Sequence, residues 1–189
     1  INASFLFNLL PANMESYVWA GWTIGVEMLF YLIFPFLYRK APDMFSAFKL
    51  FLLVLMLSWV WGFFLGTYAE WSGYVAASDR GRVSNFSLLN HLPIFILCIF
   101  SYHVFNWMQT RFDEGQRTRI GGFFILMFVF LAMELFGGRI NGLWSALIWM
   151  ALTYGCLLLG LGLFPTGKLV NAVSCVLGKM SYSIYLLHP

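Results

Sequence analysis

Long apolar runs separated by short polar stretches make up most of this chain. Five of the runs hold about 17–25 residues, close to the ~20 that a helix needs to cross a bilayer. Backbone groups in lipid must be paired within their own segment, so each run is predicted to be helical. The pattern predicts an all-α integral membrane protein with about five complete transmembrane helices plus a truncated sixth. The predicted spans are 17–38, 45–69, 90–108, 120–136, 143–164 and a last one from 176 to the end of the chain.

Composition agrees with a membrane protein. Of the 189 residues, 61% are hydrophobic and 10% are charged, whereas soluble domains carry about 25% charged residues. The net charge of +3 is too small to indicate nucleic acid as a partner. The three cysteines are far apart in sequence and form no Cys-x-x-Cys motif, which predicts neither a disulfide framework nor a metal site.

Lysine and arginine are distributed unevenly between the connections. Successive connections between the spans alternate between two sets, one for each side of the membrane. One set holds eight Lys and Arg residues and the other holds three. Since cytoplasmic loops are enriched in Lys and Arg, the first set is predicted to be cytoplasmic. Residues 1–16 and 70–89 then face outward. In the third span, Asn90 or His91 is the predicted N-cap, with Pro93 in the first turn.

One carboxylate interrupts the first apolar span. Glu27 lies about ten residues from the start of that span, ~15 Å along a helix, which is near the bilayer midplane. A charged side chain at that depth costs roughly 2.5–3.5 kcal/mol on insertion scales. Thr23 and Tyr31 are four residues away on either side, so the three share one helix face. Glu27 is therefore expected to need a partner, a hydrated cavity or a proton.

A second polar stripe occurs in the last span, where Ser181, Tyr185 and His188 follow one helix face. Its predicted depth, ~18 Å for His188, is similar to that of Glu27. The two stripes favour a shared hydrated cavity that handles protons or binds substrate. Interhelical hydrogen bonds of purely structural function remain the alternative.

Other polar residues are weaker candidates. Arg111, Arg117 and Arg119 are close together on the predicted cytoplasmic side, where they satisfy the charge rule and could also attract a phosphate-bearing ligand. His91 and His103 are twelve residues apart, about 18 Å along a helix, and so cannot bind one metal ion. Both histidines are predicted to be interfacial.

Two of these stretches resemble motifs of a known family. Residues 22–35, Trp-Thr-Ile-Gly-Val-Glu-Met-Leu-Phe-Tyr-Leu-Ile-Phe-Pro, are similar to the signature Trp-Ser-Leu-Ser-Val-Glu-x-x-Phe-Tyr-Leu-x-x-Pro of the acyltransferase 3 family. Residues 177–188 resemble its Gly-x-x-Ser-Tyr-x-x-Tyr-Leu-x-His motif. Residues 91–98 are more weakly similar to its Leu-Pro-x-Phe-x-x-Gly segment. Thr23 and Gly25 stand where the signature has serines, so one hydroxyl is absent.

The resemblance implies a multi-pass enzyme that O-acylates sugars of cell-surface polysaccharides, in a bacterial plasma membrane. The donor is an acyl-CoA such as acetyl-CoA, used as a co-substrate, and no cofactor is bound. The acceptor is a glycan or glycolipid. Glu27 is then the catalytic candidate, and the site is lined by Thr23, Tyr31, Ser181, Tyr185 and His188.

The resemblance also implies that residues 1–189 form a partial acyltransferase domain, truncated at its C-terminus. The N-terminal helices expected before it carry an Arg-and-His motif whose histidine is the favoured base. Two other functions remain compatible with the sequence. Glu27 could be the proton site of a proton-coupled transporter or glycolipid flippase, or the chain could be a non-catalytic partner of a polysaccharide synthase.

Overall fold

The computed structural model describes residues 21–72, 87–138, 146–165 and 171–187. These residues are mostly helical, with no strand among them. The predicted all-α class is thus confirmed for the described part of the chain. The helices are α1 Gly21–Lys40, α2 Met44–Ser72, α3 Leu88–Arg111, α4 Glu114–Phe136, α5 Ala146–Leu163 and α6 Ala172–Leu187.

Three helices are long and apolar enough to cross a membrane, over Met44–Phe64, Leu88–Arg111 and Glu114–Phe136. Two shorter apolar helices, Leu147–Leu163 and Ala172–Ser181, follow them. These findings support a membrane protein. The count of five complete spans stays a prediction.

Side-chain caps fix the N-termini of α4 and α6. Asp113 accepts a hydrogen bond from the backbone N–H of Gln116 at 2.8 Å, and the Gln116 side chain accepts one from the Asp113 N–H at 3.1 Å. This capping box begins α4 and satisfies N–H groups that a helix start leaves unpaired. Asn171 and Ser174 form a comparable pair before α6, with bonds of 2.9 and 3.0 Å.

The start of α3 differs from the sequence prediction. The helix begins at Leu88, so Asn90 and His91 lie inside its first turn and neither is the N-cap. Pro93 consequently falls in the second turn, where its missing N–H leaves the carbonyl of Leu89 without an intrahelical bond. The prediction was wrong because apolar Leu88 and Leu89 already belong to the helix.

The chain divides into two compact units, residues 1–100 and 101–189. In the first, α2 and α3 are antiparallel, since Phe48 contacts Phe100 at one end and Ser58 contacts Asn90 towards the other. A three-residue connection joins α1 to the start of α2. The end of α1 is therefore close to the start of α2, and Phe30 of α1 contacts Phe95 of α3.

The second unit is built on close packing between α4 and α5. A Cβ added at Gly121 would lie 2.8 Å from the backbone nitrogen of Phe164 and 3.0 Å from the carbonyl oxygen of Gly160. A Cβ at Gly160 would lie 2.8 Å from Cγ1 of Ile125. The glycines let the two backbones meet, as small residues do at membrane helix interfaces.

Candidate functional site around Glu27

Glu27 lies on α1 at the edge of that helix's packed face. Val26, Leu29 and Phe30 are buried, with exposures of 3–7%, and Met28 is 44% exposed. Glu27 itself is half-buried. It is therefore placed to interact with a group that enters from outside the packed face.

The predicted stripe on α1 passes from half-buried to open positions. Thr23 is half-buried like Glu27, whereas Tyr31 is 59% exposed. All three are inside the helix and follow the i, i+4, i+8 spacing that places residues on one side. Pro35, four residues after Tyr31, supplies no N–H for the Tyr31 carbonyl. At the exposed end of the stripe, Tyr31 thus offers both its phenol group and its backbone carbonyl for hydrogen bonding.

An aromatic contact fixes the register of α1 against α3. The rings of Phe30 and Phe95 stack with centroids 3.9 Å apart and planes within 8°. Phe30 also meets Phe34 edge-on, with centroids 5.5 Å apart. Glu27 lies one turn before Phe30, and His91 lies one turn before Phe95. Along its own helix, each polar residue is therefore within about 6 Å of the stacked pair.

Polar side chains also join α2 to α3. The hydroxyl of Ser58 donates to Oδ1 of Asn90 at 3.1 Å, and the indole N–H of Trp61 donates to the hydroxyl of Ser87 at 2.8 Å. These interhelical hydrogen bonds hold the start of α3 in place. Sequence reasoning missed both, because the partners are 26 and 32 residues apart and no periodic pattern links them.

The second predicted stripe belongs to the other unit. Ser181 is exposed, and its hydroxyl donates to the carbonyl of Gly178 at 2.8 Å. Tyr185 lies within α6, and His188 lies outside the described residues. A cavity shared by Glu27 and His188 therefore stays a prediction.

The three arginines gather where α3 meets α4. Arg111 ends α3, and Arg117 and Arg119 lie in the first two turns of α4. The guanidinium of Arg117 donates to Oε1 of Gln109 at 3.4 Å, while Arg111 and Arg119 are exposed. The cluster presents cationic donors to solvent. Among the described residues, no group of three or more His, Cys, Asp or Glu side chains could hold a metal ion.

Comparison with known proteins adds one match. A family model described as "Acyltransferase domain" matches residues 1–189. No curated protein and no solved structure matches the chain. The matched range includes the Glu27 stripe on α1, the start of α3 and all of α6.

Proposed function

The chain belongs to the acyltransferase 3 family, and from this membership we propose that it is a membrane-embedded O-acyltransferase. It moves an acyl group, acetyl in the simplest case, from an acyl-CoA donor to a hydroxyl of a cell-surface carbohydrate. The observation that carries the proposal is Glu27, a carboxylate kept at the edge of a packed apolar helix in a protein of this family. A bacterial plasma membrane is the proposed location.

The reaction exchanges a thioester for an ester. The acceptor oxygen attacks the thioester carbonyl, a C–O bond forms, the C–S bond breaks, and the hydroxyl proton passes through a base to the departing thiolate. Negative charge on the tetrahedral oxyanion needs hydrogen-bond donors nearby. Glu27 accepts a hydrogen bond from the attacking hydroxyl, or from the histidine that the family resemblance implies as the base. In either case it acts at the reacting centre.

The donor is proposed to approach from the side that carries Arg111, Arg117 and Arg119. Guanidinium groups bind phosphate oxygens through paired hydrogen bonds, and acyl-CoA carries phosphates at the end far from its thioester. The exposure of Arg111 and Arg119 supports this position. Thr23, Tyr31, Ser181, Tyr185 and His188 remain the proposed lining of the acceptor site.

Replacing Glu27 tests the function directly. Membranes containing the full-length protein are supplied with radiolabelled acetyl-CoA and with envelope glycans whose ester groups have been removed by alkali. Wild-type protein is expected to label the glycan with an alkali-labile ester. Glu27→Gln keeps the shape but loses the charge, so labelling is expected to fall at least about 100-fold.

Glu134→Gln is the control, because it removes another carboxylate from an apolar helix, α4. It is expected to label the glycan at the wild-type rate. Membrane level and gel-filtration profile show that Glu27→Gln is inserted and folded. Full activity of that variant overturns the role of Glu27. Glycan that is translocated without covalent labelling supports the transporter instead.

A further inference from the structure

A lysine lies inside the apolar span of α2. Lys49 is five residues into the span Met44–Phe64, about 7.5 Å along the helix axis. A charged side chain inside a membrane helix is costly, and lysines near helix ends reduce the cost by extending their ammonium groups to the interface. Lys49 is therefore expected to meet lipid headgroups beside α2.

Lys49 lies on the side of α2 that is turned away from the packed face. Ala47, Phe51 and Val54 are buried, with exposures of 0–7%. At about 100° per residue, each of the three is rotated about 140–160° from Lys49. The Lys49 side chain itself is exposed. In a membrane it therefore extends into the lipid or headgroup layer.

Apolar side chains continue the same exposed face towards the middle of the span. Leu52, Leu53 and Met56 are three, four and seven residues after Lys49, the spacing that places residues on one helix face. They are 42%, 55% and 68% exposed. A cation followed by an apolar stripe has the same order of polarity as a phospholipid, in which acyl chains run from a charged headgroup.

Two further cations lie at the adjoining end of α1. Arg39 and Lys40 are in its last turn and are exposed. The chain turns directly after them, since the N–H of Ala41 donates to the carbonyl of Tyr38 at 3.1 Å. Lys40 and Met44 are four residues apart, so the end of α1 is at most about 14 Å from the start of α2.

The carboxylate in this connection does not cancel the positive charge. Asp43 accepts hydrogen bonds from the backbone N–H groups of Phe45 and Ser46, and from the Ser46 hydroxyl, which hold it at the start of α2. Three cations and one carboxylate leave residues 39–49 with a net charge of +2. That charge is complementary to a lipid phosphate that has no cation of its own in the headgroup.

We propose that Arg39, Lys40 and Lys49 bind the phosphate of an anionic phospholipid, whose acyl chain lies along the exposed stripe of α2. Basic clusters beside membrane helices bind anionic headgroups in this way. Free phosphate offers the same oxygens to the cations, but it has no chain to cover the stripe. The site is independent of the acyl transfer proposed above.

Native mass spectrometry of the full-length protein in detergent tests the site. The protein is titrated with phosphatidylglycerol or with phosphatidylcholine of the same acyl chains. Wild-type protein is expected to bind the first phosphatidylglycerol at least about tenfold more tightly. Lys49→Gln is expected to weaken that binding about fivefold, the usual contribution of one cation near an anionic surface, and to leave phosphatidylcholine unchanged. Lys49→Arg keeps the charge and is expected to keep the affinity.

Lys179→Gln is the matched control. It also removes an exposed lysine from an apolar helix, α6, which lies in the other compact unit. Its affinity for phosphatidylglycerol is expected to equal that of wild-type protein. Equal weakening by Lys49→Gln and Lys179→Gln would mean that total charge, and not this site, attracts the lipid, which overturns the proposal.

A photoactivatable lipid tests the position of the acyl chain. Phosphatidylglycerol with a diazirine in its chain is expected to label residues 52–56 more strongly than the matching phosphatidylcholine does. Lys49→Gln is expected to remove the difference. Equal labelling of wild-type protein by the two lipids would show ordinary solvation by the bilayer and overturn the site.

The remaining outcomes also decide the proposal. Equal affinity of wild-type protein for the two lipids overturns it. Millimolar inorganic phosphate, at an ionic strength held constant with chloride, is expected not to displace the lipid. Displacement would assign the cations to free phosphate and overturn the lipid as occupant. If Lys49→Gln does not fold, Arg39→Gln combined with Lys40→Gln is measured instead, and an unchanged phosphatidylglycerol affinity overturns the proposal.

Discussion

Asp43 is the residue that begins α2. Its carboxylate accepts hydrogen bonds from the backbone N–H groups of Phe45 and Ser46, both at 2.9 Å, and from the Ser46 hydroxyl at 2.9 Å. The hydrogen bond from the Ser46 backbone, then that from the Ser46 hydroxyl, hold the pKa of Asp43 below its ordinary value. Desolvation opposes them, and the Phe45 N–H and the charge of Lys49 lower the pKa further. These bonds favour the ionised form, so the start of α2 depends on pH.

The sign of that dependence follows from the lowered pKa. A carboxyl whose folded pKa is depressed stabilises the fold fully above its unfolded pKa of about 4. The stabilisation is lost as pH falls through the folded value. We expect the melting temperature in detergent to fall more steeply below pH 4 for wild-type protein than for Asp43→Asn, which cannot ionise. Ser46→Ala, which removes one bond to the carboxylate, should give an intermediate slope. Parallel curves for wild-type protein and Asp43→Asn would contradict this.

At the scale of elements, the α4–α5 pair depends on the absence of a side chain at Gly121. A Cβ there would meet backbone atoms of Phe164 and Gly160 at 2.8 and 3.0 Å, and backbone cannot move aside as a flexible side chain can. Gly121→Ala is therefore expected to separate the helices and to destabilise the protein by about 1–3 kcal/mol, the usual effect of overpacking. Thermal unfolding in detergent measures the change.

Gly122→Ala is the control for that prediction, because it lies next along the same helix. A Cβ at Gly122 would meet only Cε2 of Phe164, at 3.9 Å, an ordinary contact. We expect this variant to keep or slightly raise the wild-type melting temperature, since alanine favours helix over glycine. An equal fall in melting temperature in Gly121→Ala and Gly122→Ala would contradict the prediction, because it would show that the close approach of α4 to α5 at Gly121 does not set the stability of this pair.

At the scale of the whole molecule, hydrophobic pattern predicted the elements but not their contacts. Apolar runs placed α2 within a few residues of Met44–Ser72, because lipid demands a continuous helix of a set length. Helical spacing placed Thr23, Glu27 and Tyr31 on one face, and their role as site residues stays a prediction. The Phe30–Phe95 stack joins residues 65 positions apart, and nothing periodic in the chain specifies such a pair. The interfacial position of His91 and His103 stays a prediction.

Membrane sidedness gives the last prediction. If α2 and α3 each cross the bilayer once, the chain returns to its starting side, so residues 41–43 and 112–113 face the same compartment. The excess of Lys and Arg in the helix ends beside these two connections predicts that this compartment is the cytoplasm. A cysteine introduced by Pro42→Cys or Glu114→Cys, with the native cysteines replaced, should react with a membrane-impermeant maleimide only after the cells are opened.

Phe136→Cys provides the opposite case. Phe136 ends α4 and is 78% exposed. If α4 also crosses the bilayer, a cysteine at this position faces outward and should be labelled in intact cells. Labelling of position 42 but not 114 in intact cells would mean that α2 and α3 do not both span, because two crossings cannot separate these sites. Labelling of both in intact cells, with 136 protected, would keep the spans but invert the orientation. The arginines of the α3–α4 turn would then face outward, away from cytoplasmic acyl-CoA, and the donor site would have to be sought at the other end of the helices.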